Sequence, residues 1–123
     1  MANKARGLDR IIKAFGYSMQ GLRAGWHHEA AFRQEVLLVG VLFPCVFWVG
    51  RSPLDYAILI ASLLFVLISE LFNSAIEALA DRIGPEHHEL SGRAKDLGSA
   101  AVFLALVLLA VIWAAYAWLR FST

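Results

Sequence analysis

In the run SELFNSAIEALADRIG, Glu70, Asn73, Glu77 and Asp81 stand at i, i+3, i+7 and i+11, so a helix would carry all four on one stripe. The stripe begins inside an apolar stretch. An acidic side chain at the centre of a membrane helix costs about 2.5 to 3.5 kcal/mol, so such groups are either hidden or used. Two acids on one face near a membrane boundary suit a general base beside a metal site, because carboxylate oxygens are the ligands that Mg²⁺ favours. The competing expectation is structural: Asn73 bonding across to another helix and the acids pairing with arginines.

A second group of candidates lies just beyond, in EHHELSGRAKDLGSAA, which reads as a loop between apolar segments. Glu86, His87, His88, Glu89, Arg93, Lys95 and Asp96 fall there, with Lys95 and Arg93 suited to phosphate oxygens and Gly92 and Gly98 open to close backbone approach. A solvated connection would look similar. Glu29 precedes the first apolar segment, with Arg33 four residues on, a spacing that allows either a helix-face ion pair or a metal-binding carboxylate. The pairs His27–His28 and His87–His88 do not make a zinc site, because neighbouring helical residues point about 100° apart and no cysteine stands with them. No GxxxxGK(S/T) or GxGxxG occurs, which excludes a P-loop and a dinucleotide-binding turn.

The elements that must position these groups are helices in a membrane. Apolar stretches run from Val36 to Val49, Tyr56 to Ser69 and Ala100 to Leu119, and only the last is by itself near the ~20 residues a bilayer crossing needs. Extending the first back through Ala30 and the second on to about Ala80 gives three spans, over about 30–50, 54–80 and 98–119. From Leu54, Glu70 then falls roughly 24 Å along its helix, near the far edge of a ~30 Å hydrocarbon layer. Before the first span, Leu8, Ile11, Ile12, Phe15, Met19 and Leu22 recur at helical spacing with Arg10, Lys13, Gln20 and Arg23 on other faces, which predicts an amphipathic surface helix over about 6–27. The whole of 1–123 reads as one unit, all-α, without internal repeats.

Six Lys and Arg precede the apolar stretch that starts at Val36 and three lie between the second and third spans, nine of the chain's eleven. That asymmetry predicts a cytoplasmic N-terminus and a C-terminus outside. The basic MANKARGLDR leads into a mixed segment, which does not read as a signal peptide. Hydrophobic residues make up 59% of the chain and charged ones 17%, with a net charge of +1. Such a balance argues for membrane and against a nucleic-acid binder, which concentrates basic charge on one face. The single cysteine, Cys45, sits in an apolar run and reads as a small hydrophobe.

Taken together, RIIKAFGYS, GLRAGWHHEAAFRQE, ELFNSAIEALADRIG and EHHELSGRAKDLGSAAV resemble the prokaryotic integral-membrane diacylglycerol kinase family from Arg10 to about Val102. The strings E-x-x-N-S-A-I-E and G-R-A-K-D-x-G-S-A-A, in this order between apolar spans, carry most of the likeness. The resemblance implies a homotrimer with active sites between protomers, transfer of the ATP γ-phosphate to the primary hydroxyl of 1,2-diacylglycerol in the inner leaflet, and Mg²⁺ on the nucleotide. Glu70 matches the general base and Asn73 a polar neighbour that orients it, while Glu29 and Glu77 match the metal-holding carboxylates. Nucleotide contacts fall on Arg10, Tyr17, Glu86, His87, His88, Lys95 and Asp96. The lipid-facing surface falls on Ala14, Phe15, Gly16, Tyr17, Ser18 and Met19, on Arg23, Ala24, Gly25 and Trp26, on Ala31, Phe32, Arg33, Gln34 and Glu35, and on Arg10, Glu70 and Ser99. Two departures stand out: His27–His28 before Glu29, where uncharged residues are usual, and His87 where a tyrosine is common. A polyprenyl alcohol such as undecaprenol, phosphorylated by the same chemistry, stays open as substrate, and a small proton-coupled transporter carrying its proton on Glu70 is the alternative from another class.

Overall fold

The computed structural model describes residues 6–84 and 89–122, and within them every regular element is a helix. α1 covers Leu8–His28, α2 Ala30–Val49, α3 Pro53–Ile83 and α4 Glu89–Phe121. The last three are each long and apolar enough to cross a membrane. Their outer surfaces carry exposed large apolar side chains, among them Leu37, Phe43, Phe65, Phe72, Phe103 and Leu104. In water such a surface would drive association; in lipid it is the surface a spanning helix requires.

Each boundary has a local cause. Ser52 caps α3 by accepting the Asp55 N–H at 3.2 Å, and Pro53 occupies the first helical turn, where no N–H is needed. Between α1 and α2 the chain breaks at one residue, Glu29, whose backbone is extended at φ −119° and ψ 107°. Arg33 holds that elbow. Its guanidinium donates to the Trp26 carbonyl at 2.7 Å and the His27 carbonyl at 3.4 Å, satisfying acceptors that the end of α1 leaves open. The ion pair between Glu29 and Arg33 that the spacing allowed is therefore not formed.

α4 corrects the expectation of a loop through residues 89–97: the helix starts at Glu89 instead of about 98. Leu90, Ala94 and Leu97 give this stretch helical spacing, and no proline interrupts it. Lys95 meets α3 there in an ion pair with Asp81 at 2.6 Å. α3 likewise continues to Ile83, beyond the expected end near Ala80. The positions Glu86, His87 and His88 lie outside the described residues.

The core is formed chiefly by α3 against α4, with α2 along one side. Val46, Val49, Leu59, Leu63, Val66, Ala105 and Leu109 are its buried residues. One polar link crosses it: Trp113 Nε1 donates to Ser62 Oγ at 3.0 Å, and that hydroxyl donates to the Leu59 carbonyl at 2.6 Å. Burial of both groups is thus satisfied.

Candidate active site

The first half of α3 is apolar; in the second half the polar stripe is buried at Glu70 and Asn73, half-buried at Glu77 and exposed at Asp81. Glu70 is 3% exposed, with Asn73 and Ser74 buried beside it. Ser74 Oγ donates to Glu70 Oε2 at 3.1 Å, and the Asn73 amide, one turn on, acts on the same carboxylate. A hydrogen bond to a charged acceptor stabilises by about 1.5 to 3 kcal/mol, enough to hold Glu70 in one orientation. Ser74 was missed in the sequence: its i+4 spacing from Glu70 places it on the same helix face, but a serine four residues after a glutamate is commonplace and only burial gives the pair weight.

Glycine makes this packing possible. At Gly98 on α4 a Cβ would collide with Asn73 Oδ1 and stand 3.3 Å from its Cγ, so α4 approaches the stripe at a point with no side chain. Asn73 Oδ1 is itself buried without a hydrogen-bond partner, and so is Glu35 Oε1 on α2. Glu35 and Glu70 interact electrostatically across the α2–α3 contact. Two orphaned acceptors beside a buried carboxylate leave hydrogen-bonding capacity for a donor that the chain does not itself supply.

Further acids gather toward the same end. Glu29 and Glu77 both act electrostatically on Glu70, and Glu77 also acts on Lys95. Lys95, 42% exposed along its side chain, thus meets the acidic stripe at its Asp81 end. Among the described residues no three metal-ligating side chains converge closely. Mg²⁺ does not require that: it is commonly held by one or two carboxylates together with phosphate oxygens and water, a donor set that Glu29 and Glu77 fit.

Beside the stripe, α1 and α3 enclose a cleft of about 680 Å³ lined by Ser18, Gly21, Leu22, Ala24, Gly25, His28, Glu29, Leu71, Ser74, Ala75 and Ala78. Small residues on both helices keep it open. Gly25 belongs to this set: a Cβ there would stand 3.1 Å from Phe32 and 3.4 Å from Leu71. The cleft is apolar apart from Ser18, His28, Glu29 and Ser74, and Ser74 links its wall to Glu70.

The predicted residues thus divide. Glu29, Glu35, Glu70, Asn73, Glu77 and Lys95 come together; Ser18, Ala24 and Gly25 line the cleft, with Phe32 packed behind Gly25. Ala14 accepts a hydrogen bond from Ser18 at 3.0 Å. Phe15, Tyr17, Arg23 and Trp26 on α1, Ala31 and Gln34 on α2, and Asp96 and Ser99 on α4 are exposed in the single chain. Arg10 and Gly16 share that outer part of α1, and Met19 is half-buried.

Fold and site together define a small multi-pass helical membrane protein with a carboxylate-centred site toward one end of its bundle. The profile described as prokaryotic diacylglycerol kinase matches residues 16–117. A diacylglycerol kinase of Escherichia coli is 51% identical over 124 residues, covering 99% of this chain and 100% of that protein. Another, of Pseudomonas aeruginosa, is 53% identical over 108 residues, 88% of each chain, and one of Helicobacter pylori is 37% identical over 113 residues, 92% of this chain and 88% of that one. The chain belongs to the prokaryotic diacylglycerol kinase family.

Proposed function

We propose that the protein is a lipid kinase of the bacterial inner membrane that transfers the γ-phosphate of ATP to the primary hydroxyl of 1,2-diacylglycerol, giving phosphatidic acid and ADP. The observation that carries this reading is the buried Glu70 carboxylate, hydrogen bonded to Ser74 where that serine enters an apolar cleft. A diacylglycerol is apolar except near its hydroxyl, which matches a cleft with polar groups only at one side.

In this reading Glu70 accepts the proton of the lipid hydroxyl as its oxygen bonds to the γ-phosphorus, while the bond from that phosphorus to the β–γ bridging oxygen breaks and ADP leaves. The transition state is loose and electron-rich, so positioning and charge neutralisation outweigh proton removal. Lys95 contributes by meeting phosphate oxygens, and Asn73 by orienting Glu70. Glu29 and Glu77 would hold Mg²⁺, which when bound neutralises charge on the nucleotide. Arg10, Tyr17, Asp96 and the segment 86–88 complete the nucleotide contacts.

The functional unit is a homotrimer. Tyr17, Asp96 and Ser99 are exposed in the single chain, and a neighbouring copy would bring such residues to a shared site. α1 lies in the inner interface, its exposed Leu8, Ile11, Ile12 and Phe15 among headgroups, with the N-terminus cytoplasmic and the C-terminus outside. Offering diacylglycerol and undecaprenol together in mixed micelles with labelled ATP and Mg²⁺ tests the lipid assignment. Labelled phosphatidic acid is expected; exclusive labelling of the polyprenol would overturn it, as would proton flux without ATP consumption in sealed proteoliposomes.

A further inference from the structure

At the end of the bundle away from Lys95 and Asp81, where α2 ends, α3 begins and α4 ends, a second cavity of about 320 Å³ is lined by Val49, Arg51, Asp55, Tyr116, Leu119 and Arg120. That is near the small end of the ~300 to 1,000 Å³ typical of ligand pockets. Its charges are unevenly matched. Asp55 accepts the Arg51 backbone N–H at 2.9 Å and a hydrogen bond from Tyr116, so its carboxylate is occupied without either guanidinium. Arg120 Nε donates to the Trp48 carbonyl at 3.0 Å, and Arg51 Nη2 reaches the Arg120 carbonyl at 3.4 Å. Among the described residues the ion pairs are Arg93–Glu89 and Lys95–Asp81, both on the other side of the molecule. Two guanidiniums against one carboxylate leave a net charge of +1 around the cavity.

The surroundings point to a lipid rather than a free anion. Trp48 and Phe121 stack edge to face at 5.5 Å with the Arg120 guanidinium 5.6 Å from the Phe121 ring, an aromatic and basic rim of the kind found at headgroup level. Phe47, next to Trp48 on α2, and Leu119, in the cavity wall, are exposed and apolar. A guanidinium presents a planar fork of donors that matches phosphate oxygens, and it keeps its charge at a membrane boundary.

We propose that this cavity holds the phosphodiester of a membrane phospholipid, with Arg51 and Arg120 taking its oxygens and the acyl chains lying along the apolar surface of α2 and α4. The site is separate from the Glu70 cleft and does not depend on the kinase reading. The test is native mass spectrometry of the full chain in maltoside micelles, titrated with phosphatidylglycerol, for the native protein and Arg51→Gln/Arg120→Gln. About ten-fold weaker binding of the first lipid per chain is expected in the double variant. Dioleoylglycerol, which lacks the phosphate, should bind both alike, and millimolar inorganic phosphate should not compete. Arg51→Gln alone, which keeps the Arg120–Trp48 bond, should show an intermediate loss with an unchanged melting temperature. Equal phosphatidylglycerol affinity in native and double variant, a parallel loss for dioleoylglycerol, or displacement by inorganic phosphate would each overturn the proposal.

Discussion

A carboxylate that is 3% exposed and held by a serine one helical turn away is oriented before any substrate arrives. Such preorganisation matters more than basicity when the reaction is phosphoryl transfer, because the chemistry is dominated by placing the attacking oxygen in line. Ser74→Ala should therefore lower kcat by about ten-fold, equivalent to one hydrogen bond of roughly 1.4 kcal/mol, while leaving KM for ATP unchanged in a coupled ADP assay. Gly98→Ala acts one residue further out. Its new Cβ must push the Asn73 amide aside, so kcat should fall while thermal stability drops by no more than the ~1 to 3 kcal/mol of an overpacked site. A Gly98→Ala protein with full activity would remove Asn73 from the orienting role.

At the scale of elements, the contact between α3 and α4 sets how Lys95 stands toward the acidic stripe. Its ion pair with Asp81 is exposed on both sides, so it adds little stability, within the ~0 to 1 kcal/mol of surface pairs. Lys95→Met should leave the melting temperature almost unchanged and raise KM for ATP about ten-fold or more, as expected for loss of a charge-assisted contact to phosphate. Arg33→Met should do the opposite: with two carbonyls of the α1 end unsatisfied, the elbow loosens and stability falls by about 1 kcal/mol, read by thermal melting. The stripe of Glu70, Asn73, Glu77 and Asp81 was legible because helical periodicity depends only on spacing within one segment. The helical start of α4 was not. Charged residues with two glycines look like a loop until α3 is present to pair with Lys95 and to occupy the space that Gly98 leaves. The Arg33 cap was hidden for the same reason, since its acceptors are backbone carbonyls that any residue supplies.

For the whole molecule, apolar length made the number of spans readable, whereas the cleft between α1 and α3 depends on how two helices diverge around small side chains at Gly21, Ala24, Gly25, Ala75 and Ala78. Removing divalent metal with a chelator should abolish ATP-dependent phosphorylation, and Mg²⁺ should restore it fully, if Glu29 and Glu77 hold the ion on the nucleotide as proposed. The role of Glu70 stands or falls on one comparison: diacylglycerol phosphorylation by the purified native chain and by Glu70→Gln, which is nearly isosteric. A 10²- to 10⁴-fold loss of kcat, about the value of a placed general base, is expected with melting temperature and oligomer size intact. A fully active Glu70→Gln protein would contradict it, and the proton would then have to be taken by another group.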